Sequence, residues 1–169
     1  MNIKKLYTAE QIQEAVQKVA RQVEDFFGSE EPVVALCLLN GAIWYAADLL
    51  RCLPANFELQ TIRISSYEGT DSTGKLKWHD ALPDCAGKQV LIIDDVLDTG
   101  LTLKSVRDAL LEGAASKVAS TVAIDKKGRR TVPYEADFCA LHSEDCFLVG
   151  YGLDLNGKYR NLPYIGYIE

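Results

Sequence analysis

Short apolar runs followed by segments with helical spacing constrain the fold of this chain more than any other feature. Val33–Leu39 is apolar without interruption, and residues 89–93 form a second run with β-branched residues at its centre. Runs of this length without polar alternation indicate strands buried on both faces. Because amphipathic helices separate such strands, the sequence predicts an α/β fold, a parallel sheet flanked by helices with right-handed crossovers.

The spacing of apolar residues predicts the remaining elements as well. Thr8 and Gln11 form a capping-box pattern, and apolar residues then recur at helical spacing until Gly28 ends the helix. Residues 66–78 are polar and glycine-rich, and a loop of this length is typically functional. Further helices are predicted over residues 42–52 and 102–111, and further strands over residues 57–65, 117–124, 137–141 and 147–149.

The composition is that of one globular domain. With 169 residues, 48% of them hydrophobic, the chain can bury a full core, and we predict a single domain over residues 1–169. A formal net charge of −6 disfavours nucleic acid as a partner. No apolar run could span a bilayer, no signal-peptide core follows Met1, and the five cysteines lack metal-ligand spacing. We therefore expect a cytoplasmic protein with reduced thiols and no membrane association.

An acidic segment follows the apolar run of residues 89–93. Asp94 and Asp95 come directly after the run, and open parallel sheets bind ligands at the carboxyl ends of their strands. Residues 98–102, Asp-Thr-Gly-Leu-Thr, then lead into a helix, where free backbone N–H groups, a glycine and hydroxyl groups would form a cradle for a phosphate. The two adjacent carboxylates would repel that phosphate unless they held sugar hydroxyls or a magnesium ion.

Residues 90–102 as a whole resemble the signature of the type I phosphoribosyltransferases, which implies that family's fold with a small hood built from the amino- and carboxyl-terminal segments. A phosphoacceptor receiver module also carries an acidic pair, but on its first strand, whereas this pair lies past mid-chain. Some relatives have Lys at the position of Leu101, a change that a phosphate held by backbone amides tolerates. The resemblance implies that Asp94 and Asp95 contact the ribose hydroxyls and that Asp98, Thr99, Gly100, Leu101 and Thr102 hold the 5′-phosphate.

Other segments resemble the hypoxanthine-guanine branch of that family. Residues 39–42, Leu-Asn-Gly-Ala, are similar to a loop in which a cis peptide precedes the second residue, so that Asn40 and Gly41 would turn backbone amides toward pyrophosphate. Human-type relatives carry Lys in place of Asn40, so this chain lacks that side-chain charge. Arg160 resembles an arginine that contacts pyrophosphate, and Ser66 with Tyr67 resembles the start of a mobile catalytic lid.

The resemblance also implies a purine pocket near the carboxyl end. Lys126 would donate to the 6-oxygen of the base, and adenine would be rejected because its amino group would place two donors face to face. Phe147 would stack on the purine, backbone groups of Leu148 would bind its edge, and Asp154 would hold a second magnesium ion. The adjacent Lys127, Arg129 and Arg130 are interpreted as a solvated charge cluster.

Taken together, the resemblance implies a purine salvage transferase whose partners are small molecules, a purine base and phosphoribosyl pyrophosphate. Hypoxanthine, and also guanine, would be converted to IMP or GMP with release of pyrophosphate. Mg²⁺ would be the cofactor, with Asp94, Asp95 and Asp154 as its ligands, and Asp98 would act as general base. A homodimer or homotetramer is expected. A preference for xanthine, or a nucleic-acid-binding regulator that senses phosphoribosyl pyrophosphate, remains an alternative.

Overall fold

The structure, a computed structural model, describes residues 2–66 and 75–169. Helices and strands alternate along most of the chain, as the apolar pattern predicts. In chain order the elements are β1 (Ile3–Tyr7), α1 (Ala9–Phe27), β2 (Val33–Leu39), α2 (Ile43–Arg51), β3 (Phe57–Ser66), β4 (Leu76–Trp78), β5 (Gln89–Leu97), α3 (Leu101–Glu112), β6 (Lys117–Lys126), β7 (Phe138–Ser143), β8 (Leu148–Val149) and β9 (Ile165–Ile168).

The main sheet has six strands in the order β4-β3-β2-β5-β6-β7. Strand β2 lies parallel to both β3 and β5, with Val33 opposite Phe57 on one side and Gln89 on the other. The α/β fold is therefore confirmed, with one correction. Strand β4 runs antiparallel to β3, so the sheet is mixed, and β4 lies within residues 66–78, which the sequence suggested were all loop. Three residues that pair back onto β3 are too few to give a periodic signal.

The continuous apolar character of the strands follows from the two layers that cover the sheet. Alternate residues of β2, such as Ala35 and Cys37, pack in a cluster with helices α1 and α2. The intervening residues, such as Leu36, pack in a second cluster with α3, which contributes Leu103 and Val106. Both faces of the central strands are thus buried, which is the reason for the lack of polar alternation.

A three-stranded antiparallel sheet, ordered β1-β9-β8, joins the two ends of the chain. Ile3 lies opposite Ile168 in this sheet, which forms the hood that the resemblance implied. Strands β1 and β9 were not predicted from the sequence, because they are short and pair with each other from opposite ends of the chain. Among the described residues, no helix combines the length and the apolar character that crossing a bilayer requires.

Candidate active site

Strand β5 carries the acidic pair at the carboxyl edge of the main sheet. The sequence predicted that this strand ends at Ile93, but β6 continues to Lys126 and pairs alongside it, so that Asp94 lies opposite Val122 and Leu97 opposite Asp125. On its other side β5 pairs with β2 only as far as Ile93, opposite Cys37. The β5 backbone beyond Ile93 is therefore held by β6 alone, and a cleft opens on the β2 side.

Asp94 and Asp95 are half-buried in this cleft and bind their own backbone. The N–H of Asp95 donates to Asp94 Oδ1 over 2.9 Å, and the N–H of Val96 donates to Asp95 Oδ1 over 2.8 Å. Burial, reinforced by the charge of Asp95, raises the pKa of Asp94 well above its ordinary value. Burial also raises the pKa of Asp95, although hydrogen bonds and Arg160 oppose the shift. A cation at this position would relieve the cost of both charges.

The loop after β5 turns sharply into α3. Gly100 has a φ of 88°, a left-handed conformation that favours glycine, and α3 begins at Leu101. The Thr99 hydroxyl accepts the N–H of Leu101 over 3.3 Å, and the Thr99 carbonyl accepts the N–H of Thr131 over 3.0 Å. A Cβ on Gly100 would lie only 3.1 Å from Cβ of Tyr134. Backbone N–H groups at the start of α3 are thus presented to the cleft on a fixed loop.

Arg130 anchors the loop that follows β5, a role that was not predicted from the sequence. Its guanidinium pairs with the buried Asp125 carboxylate over 2.7 Å and donates to the carbonyls of Asp98 and Tyr134, both over 2.9 Å. The interpretation of Arg130 as part of a solvated charge cluster is therefore wrong. An acidic residue at the end of a buried strand, here Asp125, is the only sequence signal that such a counterion is needed.

The opposite side of the cleft is a stack of close backbone contacts. The Leu39–Asn40 peptide is cis, and a Cβ on Gly41 would overlap the Asp95 carboxylate. Gly152, at a φ of 95°, packs so tightly on Gly41 that a Cβ there would overlap the Gly41 carbonyl. The role of Gly152 was not predicted from the sequence, because Gly41 lies more than a hundred residues earlier in the chain. These glycines bring the carboxyl-terminal segment against β5.

Arg160 and Asp154 lie next to this stack. Arg160 donates from Nη1 to the Gly152 carbonyl over 2.5 Å, and its Nη2 lies 2.9 Å from Asp154 Oδ1. The second oxygen of Asp154 accepts the N–H of Gly157 over 2.7 Å. Arg160 and Asp154 therefore orient each other at the edge of the cleft, with the guanidinium close enough to act on Asp95.

The residues expected to bind the purine lie at the end of β6 and in the segment around β8. Lys126 ends β6 with only 8% of its surface exposed, and its Nζ lies 3.9 Å from Asp145 Oδ1. Phe147 is 51% exposed, an unusual state for a large aromatic residue, whereas Leu148 is buried and pairs with Tyr167 of β9. The exposed Phe147 ring offers an apolar surface and the Lys126 ammonium offers a donor to a planar ligand.

One cavity of about 400 Å³ connects most of the predicted site. Leu101, Lys126, Phe147 and Leu148 lie outside its lining, and Tyr67 lies outside the described residues. The predicted residues that line the cavity are Asn40, Gly41, Ser66, Asp94, Asp95, Asp98, Thr99, Gly100, Thr102, Asp154 and Arg160.

The donor set of this cavity fits a magnesium ion bound together with a ligand. Asp94 and Asp95 offer hard carboxylate oxygens, and a bound cation would offset the burial that raises the pKa of both. No group of three or more potential ligand side chains converges within the part of the chain that the structure describes. Two adjacent carboxylates suit Mg²⁺, which is usually held by one or two carboxylates plus substrate phosphates and water.

Comparison with known proteins identifies the family. The model of the phosphoribosyl transferase domain matches residues 2–156. A hypoxanthine-guanine phosphoribosyltransferase from Aquifex aeolicus is 40% identical over 99% of this chain and 95% of its own length. A hypoxanthine-guanine-xanthine phosphoribosyltransferase from Tritrichomonas foetus is 34% identical over 97% of this chain and 90% of its own length.

Solved structures agree with the sequence relatives. The crystal structure of a hypoxanthine-guanine phosphoribosyltransferase from Bacillus anthracis superposes with a TM-score of 0.92 and 36% identity, covering 99% of this chain and all of that one. The similarity spans the hood as well as the main sheet, since almost the whole length of both chains is covered. The chain therefore belongs to the phosphoribosyl transferase family, in its hypoxanthine-guanine phosphoribosyltransferase branch.

Proposed function

We propose that the protein transfers the 5-phosphoribosyl group of phosphoribosyl pyrophosphate to N9 of hypoxanthine or guanine, which yields IMP or GMP and pyrophosphate. One observation carries this proposal. A pair of carboxylates without ion-pair partners among the described residues lies in one cleft with a phosphate-type loop, Asp98 to Thr102, and with Arg160. A sugar that bears phosphate at one end and pyrophosphate at the other matches these three groups.

Each part of phosphoribosyl pyrophosphate has a partner in this proposal. The 5′-phosphate binds the N–H groups between Thr99 and Thr102, where Gly100 permits close approach. The ribose hydroxyls bind Asp94 and Asp95, which form no ion pair with any described residue. The pyrophosphate binds the backbone of Asn40 and Gly41 together with the guanidinium of Arg160.

Asp94 and Asp95 would hold a magnesium ion, and Asp154 a second one. When bound, the metal supplies positive charge that neutralises the departing pyrophosphate. Each oxygen of Asp154 already accepts one contact, from Arg160 or from Gly157, and keeps a further lone pair for such a ligand. Arg160 shares this task, because its five donors can bind a phosphate in a fork.

Recognition of the base rests on Lys126, Phe147 and Leu148. The Lys126 ammonium donates to the 6-oxygen, a contact that selects 6-oxopurines over adenine. The exposed Phe147 ring stacks on the purine face, and the Leu148 backbone binds its edge. The relative from Tritrichomonas foetus is named for xanthine as well, which makes xanthine the second candidate substrate.

Asp98 acts as the general base at N7 of the purine. As the bond from C1′ to the pyrophosphate oxygen breaks and the bond from N9 to C1′ forms, the base must lose its proton at N7, and the Asp98 carboxylate accepts it. The cleft provides positive charge at the departing group and negative charge near the ribose, which stabilises the oxocarbenium-like sugar between them. Ser66, at the end of β3, lines the cavity, and Tyr67, the next residue of the expected lid, lies outside the described residues.

A direct assay tests this function. Nucleotide formation is measured from hypoxanthine, guanine, xanthine and adenine, with magnesium present or chelated. We expect IMP and GMP to form only with magnesium and adenine to be inert. Formation of AMP at a comparable rate, or full activity in the chelator, would contradict the proposal. Sedimentation of the same sample tests the predicted homodimer or homotetramer.

A further inference from the structure

The side chain of Arg129 lies between two carboxylates and has no role in the function proposed above. Its Nε is 3.3 Å from Asp98 Oδ1, and its Nη1 donates to Asp145 Oδ1, also over 3.3 Å. Lys126, whose Nζ is 3.9 Å from the same oxygen of Asp145, shares this second carboxylate. Arg129 therefore connects the acidic loop after β5 with the segment that precedes Phe147.

Among the described residues, the Asp98 oxygen that faces Arg129 forms its one ion pair with that arginine. Asp98 Oδ1 is buried and accepts no hydrogen bond from any described residue. Its contact with Arg129 has the distance of an ion pair without the geometry of a hydrogen bond, so the attraction is purely electrostatic. A buried carboxylate oxygen without any partner is costly, and the adjacent guanidinium lowers that cost.

The two neighbouring arginines divide the task of fixing Asp98. Arg130 donates to the Asp98 carbonyl over 2.9 Å and so holds its backbone, while Arg129 attracts the carboxylate. The terminal torsion of an aspartate is broad, so a fixed backbone does not by itself fix the carboxylate plane. With Oδ1 attracted to Arg129, the second oxygen remains for the proton of the base.

We propose that Arg129 is a positioning residue for Asp98, held in place by Asp145, and that it sets the orientation of the carboxylate that receives the base proton. This inference rests on the proposed function, since it requires that Asp98 accept that proton. Lys127 provides a matched control, because it is exposed, carries the same charge two residues away and forms no ion pair among the described residues.

The test compares Arg129→Gln with Lys127→Gln. We expect Arg129→Gln to lower kcat about five- to thirtyfold, which is typical of coupling between contacting residues, while the KM for phosphoribosyl pyrophosphate changes less than about twofold. Lys127→Gln should leave both constants within about twofold of wild type. Arg129→Lys should restore most of kcat, and Asp145→Asn should lower kcat about two- to fivefold because Arg129 loses its second anchor.

A double-mutant cycle separates positioning from a general structural effect. In an Asp98→Asn background, Arg129→Gln should lower the remaining kcat less than about twofold, since the carboxylate that it orients is gone. Equal kinetics for Arg129→Gln and Lys127→Gln, or full additivity with Asp98→Asn, would overturn the inference. Those results leave the wild-type reaction intact, whereas a wild-type protein that forms no nucleotide would refute the proposed function itself.

Discussion

The charged residues in and around the cleft form two groups, here called the cationic wall and the acidic wall, which differ in how their charge is balanced. Of the cations in the cationic wall, Arg160 lines the cavity and faces Asp154, whereas Lys126 and Arg129 lie outside the lining and face Asp145. On the other wall Asp94 and Asp95 form no ion pair with any described residue, and burial raises the pKa of both. The charge of the cationic wall is therefore balanced without a ligand, whereas the charge of the acidic wall is not.

This difference distinguishes residues that are oriented in the free protein from residues whose charge is balanced only when a ligand binds. A paired cation is oriented before binding and can recognise a ligand with little reorganisation. An unpaired buried carboxylate is unfavourable in the free protein and gains most when a cation or a hydroxyl donor arrives. Substitutions on the two walls should consequently differ in the sign of their effect on stability and in the size of their effect on turnover.

Asp98, between the walls, should show the largest effect on turnover. We expect Asp98→Asn to lower kcat about 10²- to 10⁴-fold, the usual range for losing a general acid–base group, while the protein still folds. The fold should persist because Arg130 binds the carbonyl of Asp98 rather than its carboxylate. Steady-state kinetics with hypoxanthine measure the loss, and near-normal turnover would restrict Asp98 to a role in the phosphate loop.

Substitution of Gly41 tests the acidic wall, because Gly41 packs against the Asp95 carboxylate. A Cβ at this position overlaps the Asp95 carboxylate, so Gly41→Ala must displace Asp95. Because small displacements at reacting centres are costly, we expect binding of phosphoribosyl pyrophosphate to weaken about 10²-fold. Calorimetry measures the affinity.

The control for this variant is Gly87→Ala. Gly87 has a φ of 72° and open space around its Cβ position, so alanine there strains the backbone without approaching the cleft. Unfolding experiments should show a loss of stability for Gly87→Ala, with unchanged affinity for phosphoribosyl pyrophosphate. Unchanged affinity in Gly41→Ala would mean that the Asp95 carboxylate is not fixed by the loop.

The two walls also differed in how far the sequence predicted them. The acidic wall lies in one contiguous segment, residues 90–102, where strand, loop and helix follow each other, so local patterns were sufficient. Even there the end of β5 was predicted too early. Polar residues after Ile93 suggested a loop, but β6 continues alongside to Lys126 and extends the pairing to Leu97.

The cationic wall depends on contacts that are distant in the sequence. Gly152 packs on Gly41, and β1 pairs with β9 across the whole chain. Neither of these contacts leaves a periodic or compositional signal. The family resemblance indicated the residues of this wall, such as Lys126 and Arg160, but not what orients them.

Substitution of Lys126 tests the role of the cationic wall in binding the base. We expect Lys126→Ala to lower kcat/KM about ten- to hundredfold with hypoxanthine and guanine, since a charge-assisted hydrogen bond to the 6-oxygen is lost. Adenine should lose nothing. Lys127→Ala, measured with the same three bases, should remain near wild type because that side chain is exposed. Small and equal effects from both variants would remove Lys126 from the base pocket.

Substitution of Asp94 should have the smallest effect, and it should raise the stability of the protein rather than lower it. Asp94→Asn keeps the acceptor for the N–H of Asp95 and removes a charge that has no partner cation among the described residues. We expect the free energy of unfolding to rise by about 1–2 kcal/mol at neutral pH, a modest gain because the carboxylate still faces solvent in the cleft. Thermal or urea unfolding measures it.

The control is Asp108→Asn, which breaks an exposed pair with Lys104. This substitution should change stability by less than about 0.5 kcal/mol in either direction. In contrast to the control, Asp94→Asn should also lose affinity for phosphoribosyl pyrophosphate, so that stability and binding move in opposite directions.

The pH dependence of that stability difference tests most directly whether the acidic wall is unbalanced in the free protein. The pKa of Asp94 in the folded protein is well above the value of about 3.9 for an unfolded chain. Between these two values the folded state binds more protons, so wild-type stability falls as pH rises. Wild type and Asp94→Asn should therefore be equally stable near pH 3 and diverge toward neutral pH, with the variant more stable. A constant difference, or a variant that is less stable at pH 7, would contradict the account.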